Sequence, residues 1–311
     1  MPSIISGLPT AVSYGLIWAI VALGIFITYK VLDFADLTVD GSLATGGAVC
    51  ALVIVNGGNL WLGLLAGMCA GLLCGLVTGL LHAFLNIPPI LAGILTQLIL
   101  WSINFKLCGG SFIFISNRTH TVFANIGEPL DAMWKMAIVV VLLVVALYIF
   151  FGTQLGASIR ATGNNPQMSR AQGINTKFNI VLGLMLSNSI VALGGAFLAQ
   201  FVGRAATDAG VGAIVTGLCS IVIGLAITKH ISPNFLVRML GVVVGAVIYN
   251  VIFHSIAAIR VNGKKIFDDD FLKMLAAVVV VLFLGVPYLY KKYHSWFARN
   301  KKNKQLTKGG E

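Results

Sequence analysis

Three sets of side chains in this chain carry groups able to hold a polar molecule. Asp33, Asp36 and Asp40 crowd into the stretch Val31–Gly47, VLDFADLTVDGSLATGG. Gln97, Trp101 and Asn104 follow one another at offsets of four and three in an otherwise apolar run, a spacing that puts them on one helical face. The segment 152–178, GTQLGASIRATGNNPQMSRAQGINTKF, is polar along its whole length. None of these is a catalytic constellation. There is no H-E-x-x-H, no G-x-S-x-G and no pair of carboxylates inside an apolar segment. A phosphate loop of the form G-x-x-x-x-G-K-[ST] is also missing, because Gly263-Lys264-Lys265 lacks both the spacing and the hydroxyl. Any ATP used with this chain must be hydrolysed on another one. The five cysteines are scattered through apolar sequence and read as packed free thiols, so neither a metal nor a cofactor is expected.

Composition says what must position these groups. Of 311 residues, 58% are hydrophobic and only 10% charged. Soluble domains carry about 25% charged residues, so this chain cannot cover a water-facing surface. The class left is a polytopic membrane protein. Its long apolar runs suit helices, whereas β-barrel strands would show short alternating segments. A membrane helix needs ~20 apolar residues. Spans are expected near 4–29, 41–56, 60–85, 88–106, 136–152, 178–202, 210–228, 237–259 and 271–290, with 41–56 short enough to be broken or re-entrant and a further helix possible in 107–127. The count is eight to ten. A repeat is hinted at by two helix–break–helix stretches, Leu76–Leu98 and Leu218–Gly241.

The net charge of +11 points to a membrane face, not to nucleic acid, because it is concentrated in loops and in the tail (Lys291, Lys292, Arg299, Lys301, Lys302, Lys304, Lys308). With that tail inside, the 153–177 loop also falls inside, carrying Arg160, Arg170 and Lys177 with no acid. The 203–209 loop, with Arg204 and Asp208, falls outside. Other polar residues within spans are His82, Asn188, Asn250 and His254, for which interfacial placement and helix–helix hydrogen bonding are the ordinary roles. The Gln97–Trp101–Asn104 stripe reads either as such glue or as the lining of a pathway. The Asp33–Asp40 stretch reads either as a solvated turn, with Asp40-Gly41-Ser42 capping the next helix, or as broken backbone at a cavity. Membrane-embedded carboxylates are otherwise missing, which argues against an ion-coupled secondary carrier while leaving a stand-alone carrier or channel as the alternative.

The polar loop has internal order. Asn165 is placed to cap a helix that has Pro166 at its first position and stops at Gly173, giving about two turns over 166–172. Such a helix is too short to be stable alone. It is either a lever that fits a partner's groove or an ordinary interfacial loop helix.

The stretch Arg160–Asn175, RATGNNPQMSRAQGIN, resembles the cytoplasmic loop of ABC importer permeases of the branched-chain amino-acid and ribose type. Val31–Gly47 is similar to the segment after the first span in a poorly characterised branch of that family, and Gly210, Gly212, Gly217 and Gly224 sit as in its Gly-rich penultimate region. The resemblance implies an all-α polytopic membrane protein, a bundle of eight to ten transmembrane helices with a short cytoplasmic coupling helix. It implies a permease domain over 1–290 followed by a basic cytoplasmic tail over 291–311. Coupling to the ATPase would fall to Arg160, Gly163, Asn164, Asn165, Pro166, Gln167, Arg170, Gly173 and Asn175. The translocation pathway would use Asp33, Asp40, Gln97, Trp101 and Asn104. Further implications are a separate ATP-binding cassette subunit, an extracytoplasmic substrate-binding protein, a second permease copy forming a homodimer, and residence in the bacterial inner membrane with the C-terminus cytoplasmic. The chain itself would not be an enzyme. The solute implied is small and polar: an amino acid first, an aromatic one within that class, with sugars and nucleosides as the alternatives.

Overall fold

A computed structural model describes residues 2–115, 129–229, 234–257, 260–261, 264–265 and single helical positions at 274, 278 and 281. Within them are ten α-helices and two short antiparallel ribbons, one joining Phe112–Phe114 to Arg204–Ala206 and one joining Arg260–Val261 to Lys264–Lys265. Seven helical segments are long and apolar enough to cross a membrane, and an eighth, shorter apolar helix covers Ala213–Thr228. The all-helical reading therefore stands. The 271–290 span and the basic tail lie outside the described residues apart from the three single positions.

Helix α1 (Pro2–Phe26) ends in a π-turn at Ile27–Val31. The chain then reverses at Asp33, whose left-handed φ of 53° is costly for a side-chain-bearing residue. Asp36 starts α2 (Thr38–Val55), its Oδ1 accepting from the Thr38 N–H at 2.9 Å. Leu37 holds the N-cap position of α2, with Asp36 just before it; the reading of Asp40-Gly41-Ser42 as a cap fails because the helix begins three residues earlier and leaves Asp40 inside its first turn. After Asn59 caps it, α3 (Leu60–Ala83) leads to a left-handed turn at Asn86 and then to α4 (Pro89–Leu107), with proline at its first position. After α4, Phe112–Phe114 forms β1, and the rest of the stretch in which a further helix is possible, 116–127, lies outside the described residues. Helix α5 (Pro129–Gly152) starts earlier than expected, because the charge-free run from Met136 is only its apolar part; Asp131 and Lys135 pair at 3.3 Å in the turns before it. Next come α6 (Gln154–Asn164), α7 (Pro166–Ala171) and α8 (Thr176–Val202). Strand β2 (Arg204–Ala206) pairs with β1, and α9 (Ala213–Thr228) and α10 (Phe235–Ala257) follow.

Helix α8 is the axis of the bundle. Helix α3 lies antiparallel along it through Gly67, Gly71, Gly75 and Gly79, one per turn, which meet Ala196, Asn188, Leu184 and Val181 in succession. A Cβ at Gly75 would overlap the Leu184 carbonyl, so only glycine allows this backbone approach. Helix α1 runs antiparallel to α8 as well, with Gly24 against Val191 and Val21 against Gly194. Helix α2 runs parallel to it, Gly46 facing Ala192 and Cys50 facing Gln200.

This layout occurs twice with opposite direction. Helices α1, α2 and α3 are followed, in an inverted sense, by α8, α9 and α10. As α3 packs on α8, so α10 packs antiparallel on α1, with Gly15 against Val247 and Phe26 against Phe235. As α2 packs on α3, so α9 packs on α10 through Gly224, Gly241 and Gly245. Membrane transporters are often built from such inverted repeats. The repeat hinted at in the sequence had matched α3–α4 with α9–α10. The structure instead matches α2–α3 with α9–α10, because the Gly and Pro signals mark helix ends and not equivalent packing.

Candidate functional site

Two regions gather the polar side chains. The first is a knuckle at one end of the bundle. Thr153 caps α6, which the sequence had left within the polar loop; its apolar positions are sparse, and only Gly156, Ile159 and Thr162 are buried. Ser158 donates to Asn179 Oδ1 at 3.2 Å, and Asn179 Nδ2 donates to Thr162 Oγ1 at 2.9 Å, which ties α6 to α8. Gly163 abuts the backbone of Val31 and Leu32 where a Cβ would collide. Asn165 is extended, and its Oδ1 accepts from the Gln167 and Met168 N–H groups at 3.1 and 3.0 Å. Gly173, at φ 80°, reverses the chain while the Ile174 N–H donates to Ser169 O at 3.0 Å. Arg170 Nε donates to Thr176 Oγ1 at 2.9 Å, and Asn175 caps α8. Helix α7 is therefore braced at both ends yet projects, with Ser169 its one buried residue and Met168 61% exposed. A six-residue helix held outward by caps is a fixed knob, suited to insertion in a complementary surface.

The nine residues expected to act together at this end divide into two groups. Asn165, Pro166, Gln167, Arg170, Gly173 and Asn175 build the knob. Arg160, Gly163 and Asn164 instead line a cleft of about 830 Å³ beside it, together with Lys30, Asp33 and Arg238. There the Arg160 guanidinium lies over the Phe235 ring, 5.7 Å from its centroid.

The second region is the middle of the bundle. Asn188, halfway along α8, donates from Nδ2 to Asp36 Oδ2 at 2.7 Å and accepts from Ser42 Oγ at 2.7 Å. Thr38 and Thr78 meet at 2.7 Å, and Thr78 donates to Thr96 at 3.0 Å, which links α2, α3 and α4. Asp40 reaches to α9: its Oδ2 accepts from the Gly212 N–H at 3.2 Å and its Oδ1 from the Ile214 N–H at 3.0 Å. A carboxylate at a helix N-terminus satisfies amides that have no partner within the helix and complements the helix dipole. The broken segment before α2 and the glycine-rich entry to α9 thus meet at one carboxylate.

Of the five residues expected to line a pathway, three converge here. Asn104 Nδ2 donates to Gly41 O at 3.3 Å, Gln97 lies against Gly41, and Asp40 adjoins it. Asn104 Oδ1 is buried without a partner among the described residues. Asp33 lies elsewhere, in the cleft beside the knob. Trp101 is 47% exposed, away from the buried face of α4 that runs through Ala92, Thr96, Leu100 and Asn104. Helical spacing alone had grouped it with Asn104, but three residues span less than a full turn, and the packed stripe follows the i, i+4 series. Asp36 and Ser42 belong to the polar Val31–Gly47 stretch but are not among the expected pathway residues, and Thr78 is not marked out by its type. The Asp36–Thr38 spacing, an Asx residue two before a helix start, was the available signal.

A family model described as branched-chain amino acid transport system / permease component matches residues 8–289. The chain is 34% identical over 280 residues to a tyrosine transport system permease protein of Clostridioides difficile (strain R20291), covering 90% of this chain and 91% of that one. It is 25% identical over 253 residues to the ribose import permease protein RbsC of Escherichia coli (strain K12), covering 79% and 74%. Over 188 residues it is 25% identical to the galactose/methyl galactoside import permease protein MglC of Haemophilus influenzae (strain ATCC 51907 / DSM 11121 / KW20 / Rd), covering 58% and 54%.

Proposed function

The chain belongs to the branched-chain amino acid transport system permease family, and from that premise we propose that it is the membrane subunit of an ATP-driven, binding-protein-dependent importer of a small polar solute. An amino acid with an aromatic side chain is the solute we favour. That choice is supported by the similarity to the tyrosine transport system permease, which extends over nearly the full length of both chains. A sugar is the second reading, favoured by the ribose and galactose relatives.

The observation that carries the mechanism is the braced, outward helix α7. In this reading it seats in a groove of a separate ATP-binding cassette subunit, and Asn165, Pro166, Gln167, Arg170, Gly173 and Asn175 fix its shape. Arg160, Gly163 and Asn164 transmit its displacement to α1 through the Val31–Leu32 backbone. Because α6 and α8 are joined by the Ser158–Asn179–Thr162 hydrogen bonds, a push on α7 moves α8 and with it Asn188 and Asp36. Asp40, Gln97 and Asn104 stand at the joint where the two broken segments meet, the place where inverted-repeat transporters pass their cargo. Asp33 guards the exit cleft, and Trp101 faces the second copy of a homodimer. The knob faces the cytoplasm, the ribbon β1–β2 faces the extracytoplasmic binding protein, and the basic tail is cytoplasmic.

Co-purification with a nucleotide-binding subunit, coupled to uptake into proteoliposomes, tests this. Replacing Pro166 by Glu should abolish uptake and leave the permease folded. Uptake by the chain alone, driven by a proton or sodium gradient, would refute it in favour of a stand-alone carrier.

A further inference from the structure

At the end of the bundle opposite the knob lies a cavity of about 310 Å³ between α1, α2, α8 and β2. Small-molecule sites measure about 300–1,000 Å³, so this one suits a single compact ligand. Its wall carries two aromatic rings, Tyr14 and Trp18, and two opposite charges, Arg204 and Asp208. Arg204 and Asp208 are both exposed and make no ion pair with another described residue.

The charged wall is held in place. Arg204 is paired opposite Phe114 in the ribbon. Thr207 closes the loop by donating from its N–H to Ser111 O at 2.9 Å and from Oγ1 to Gly110 O at 3.1 Å. The Val211 N–H donates to Asp208 O at 3.0 Å. Tyr14 packs edge-on to Phe201 at 4.9 Å, which fixes its ring. A cation, an anion and aromatic faces around one small volume are the complement of a zwitterion with an aromatic side chain.

We propose that this cavity binds a free aromatic amino acid, with Arg204 taking the carboxylate, Asp208 the ammonium group, and Tyr14 with Trp18 the ring. The site rests on the amino-acid reading of the importer and names residues for it. Its loop also leads straight into the joint of the bundle, because Gly210 abuts the Asp40 backbone and Gly212 donates to Asp40. An occupant therefore bears on the same segment that holds α2 to α9.

The test uses the complete transporter in proteoliposomes, with Ala206→Cys as a probe in the cavity wall and Cys69→Ser removing the exposed native thiol. A small membrane-impermeant thiol reagent is added from the ribbon side. L-Tyrosine at about ten times its Kd should slow labelling about tenfold. Tyramine, lacking the carboxylate, and 3-(4-hydroxyphenyl)propionate, lacking the amine, should protect about ten- to hundredfold less well. Adding Arg204→Gln or Asp208→Asn should remove protection by tyrosine, read as the ratio of labelling rates with and without tyrosine in the same variant, and Arg204→Lys should restore part of it. Tyrosine uptake driven by ATP without any protection at Ala206→Cys would overturn the site alone. Protection that persists in Arg204→Gln or Asp208→Asn would overturn it too. Failure of ATP-driven uptake with protection intact would leave the site standing and refute the importer reading.

Discussion

The Asp40 carboxylate of α2 closes the first turn of α9, its Oδ1 standing 3.0 Å from the backbone nitrogen of Ile214. This contact joins two helices that are 174 positions apart in the chain and that begin inside the bundle, not at its ends. Removing the carboxylate leaves the Gly212 and Ile214 N–H groups without their acceptors in a half-buried joint. Asp40→Ala should therefore destabilise the folded permease by about 1–3 kcal/mol, while Asp40→Asn, which keeps one acceptor oxygen, should cost less. Thermal unfolding in detergent checks the order wild type, Asn, Ala.

Asp36 and Asn188 form the second tie, buried at 2% and 0% exposure with no cation nearby among the described residues. Asn188→Ala should be more harmful than the double change Asn188→Ala with Asp36→Ala, because the single change leaves a buried carboxylate without its Nδ2 partner. The expected coupling is about 0.5–3 kcal/mol, read from denaturation of the four proteins of the cycle.

Gly75 gives a prediction about assembly of the bundle. A side chain there meets the Leu184 carbonyl and the Met185 backbone, neither of which can swing away. Gly75→Val should separate α3 from α8 and cost at least about 1–3 kcal/mol. Gly152→Ala, where a Cβ meets nothing, should leave stability unchanged. Yield of monodisperse protein and melting temperature separate the two.

Much of this fold was legible because two simple rules govern it. Apolar runs of membrane length marked α1 to α5 and α8 to α10, α5 only from Met136 on, and Asn165-Pro166 with Gly173 marked α7 to within a residue. Helix α6 was not legible. It lies along the surface with only three buried residues, so its sequence looks like a polar loop. The inverted repeat was hidden for another reason: it is a relation of direction and packing, carried by glycine contacts whose partners lie far away in sequence. The central site was half visible. Asp40, Gln97 and Asn104 were found by polarity alone, whereas Arg204 and Asp208 looked like ordinary loop charges until the ribbon brought them to a cavity with Tyr14 and Trp18.

Asn165 offers a test of the knob that leaves the bundle untouched. Asn165→Ala removes the acceptor for two amides of α7, at a cost of about 1 kcal/mol to that helix. Asn165→Asp keeps it. Amide hydrogen exchange at Gln167 and Met168 should rise in the first variant and not in the second. Uptake should fall in parallel, while the melting temperature of the whole protein stays constant.

The contact of Met168 with a motor subunit is the most direct test of the mechanism. A photoreactive amino acid placed at Met168, which is 61% exposed at the tip of α7, is irradiated in the assembled transporter. The account predicts a cross-link to the ATP-binding subunit whose yield changes when nucleotide is added. Labelling of the same position from the outer surface of intact cells, or undiminished uptake with that subunit absent, would contradict it.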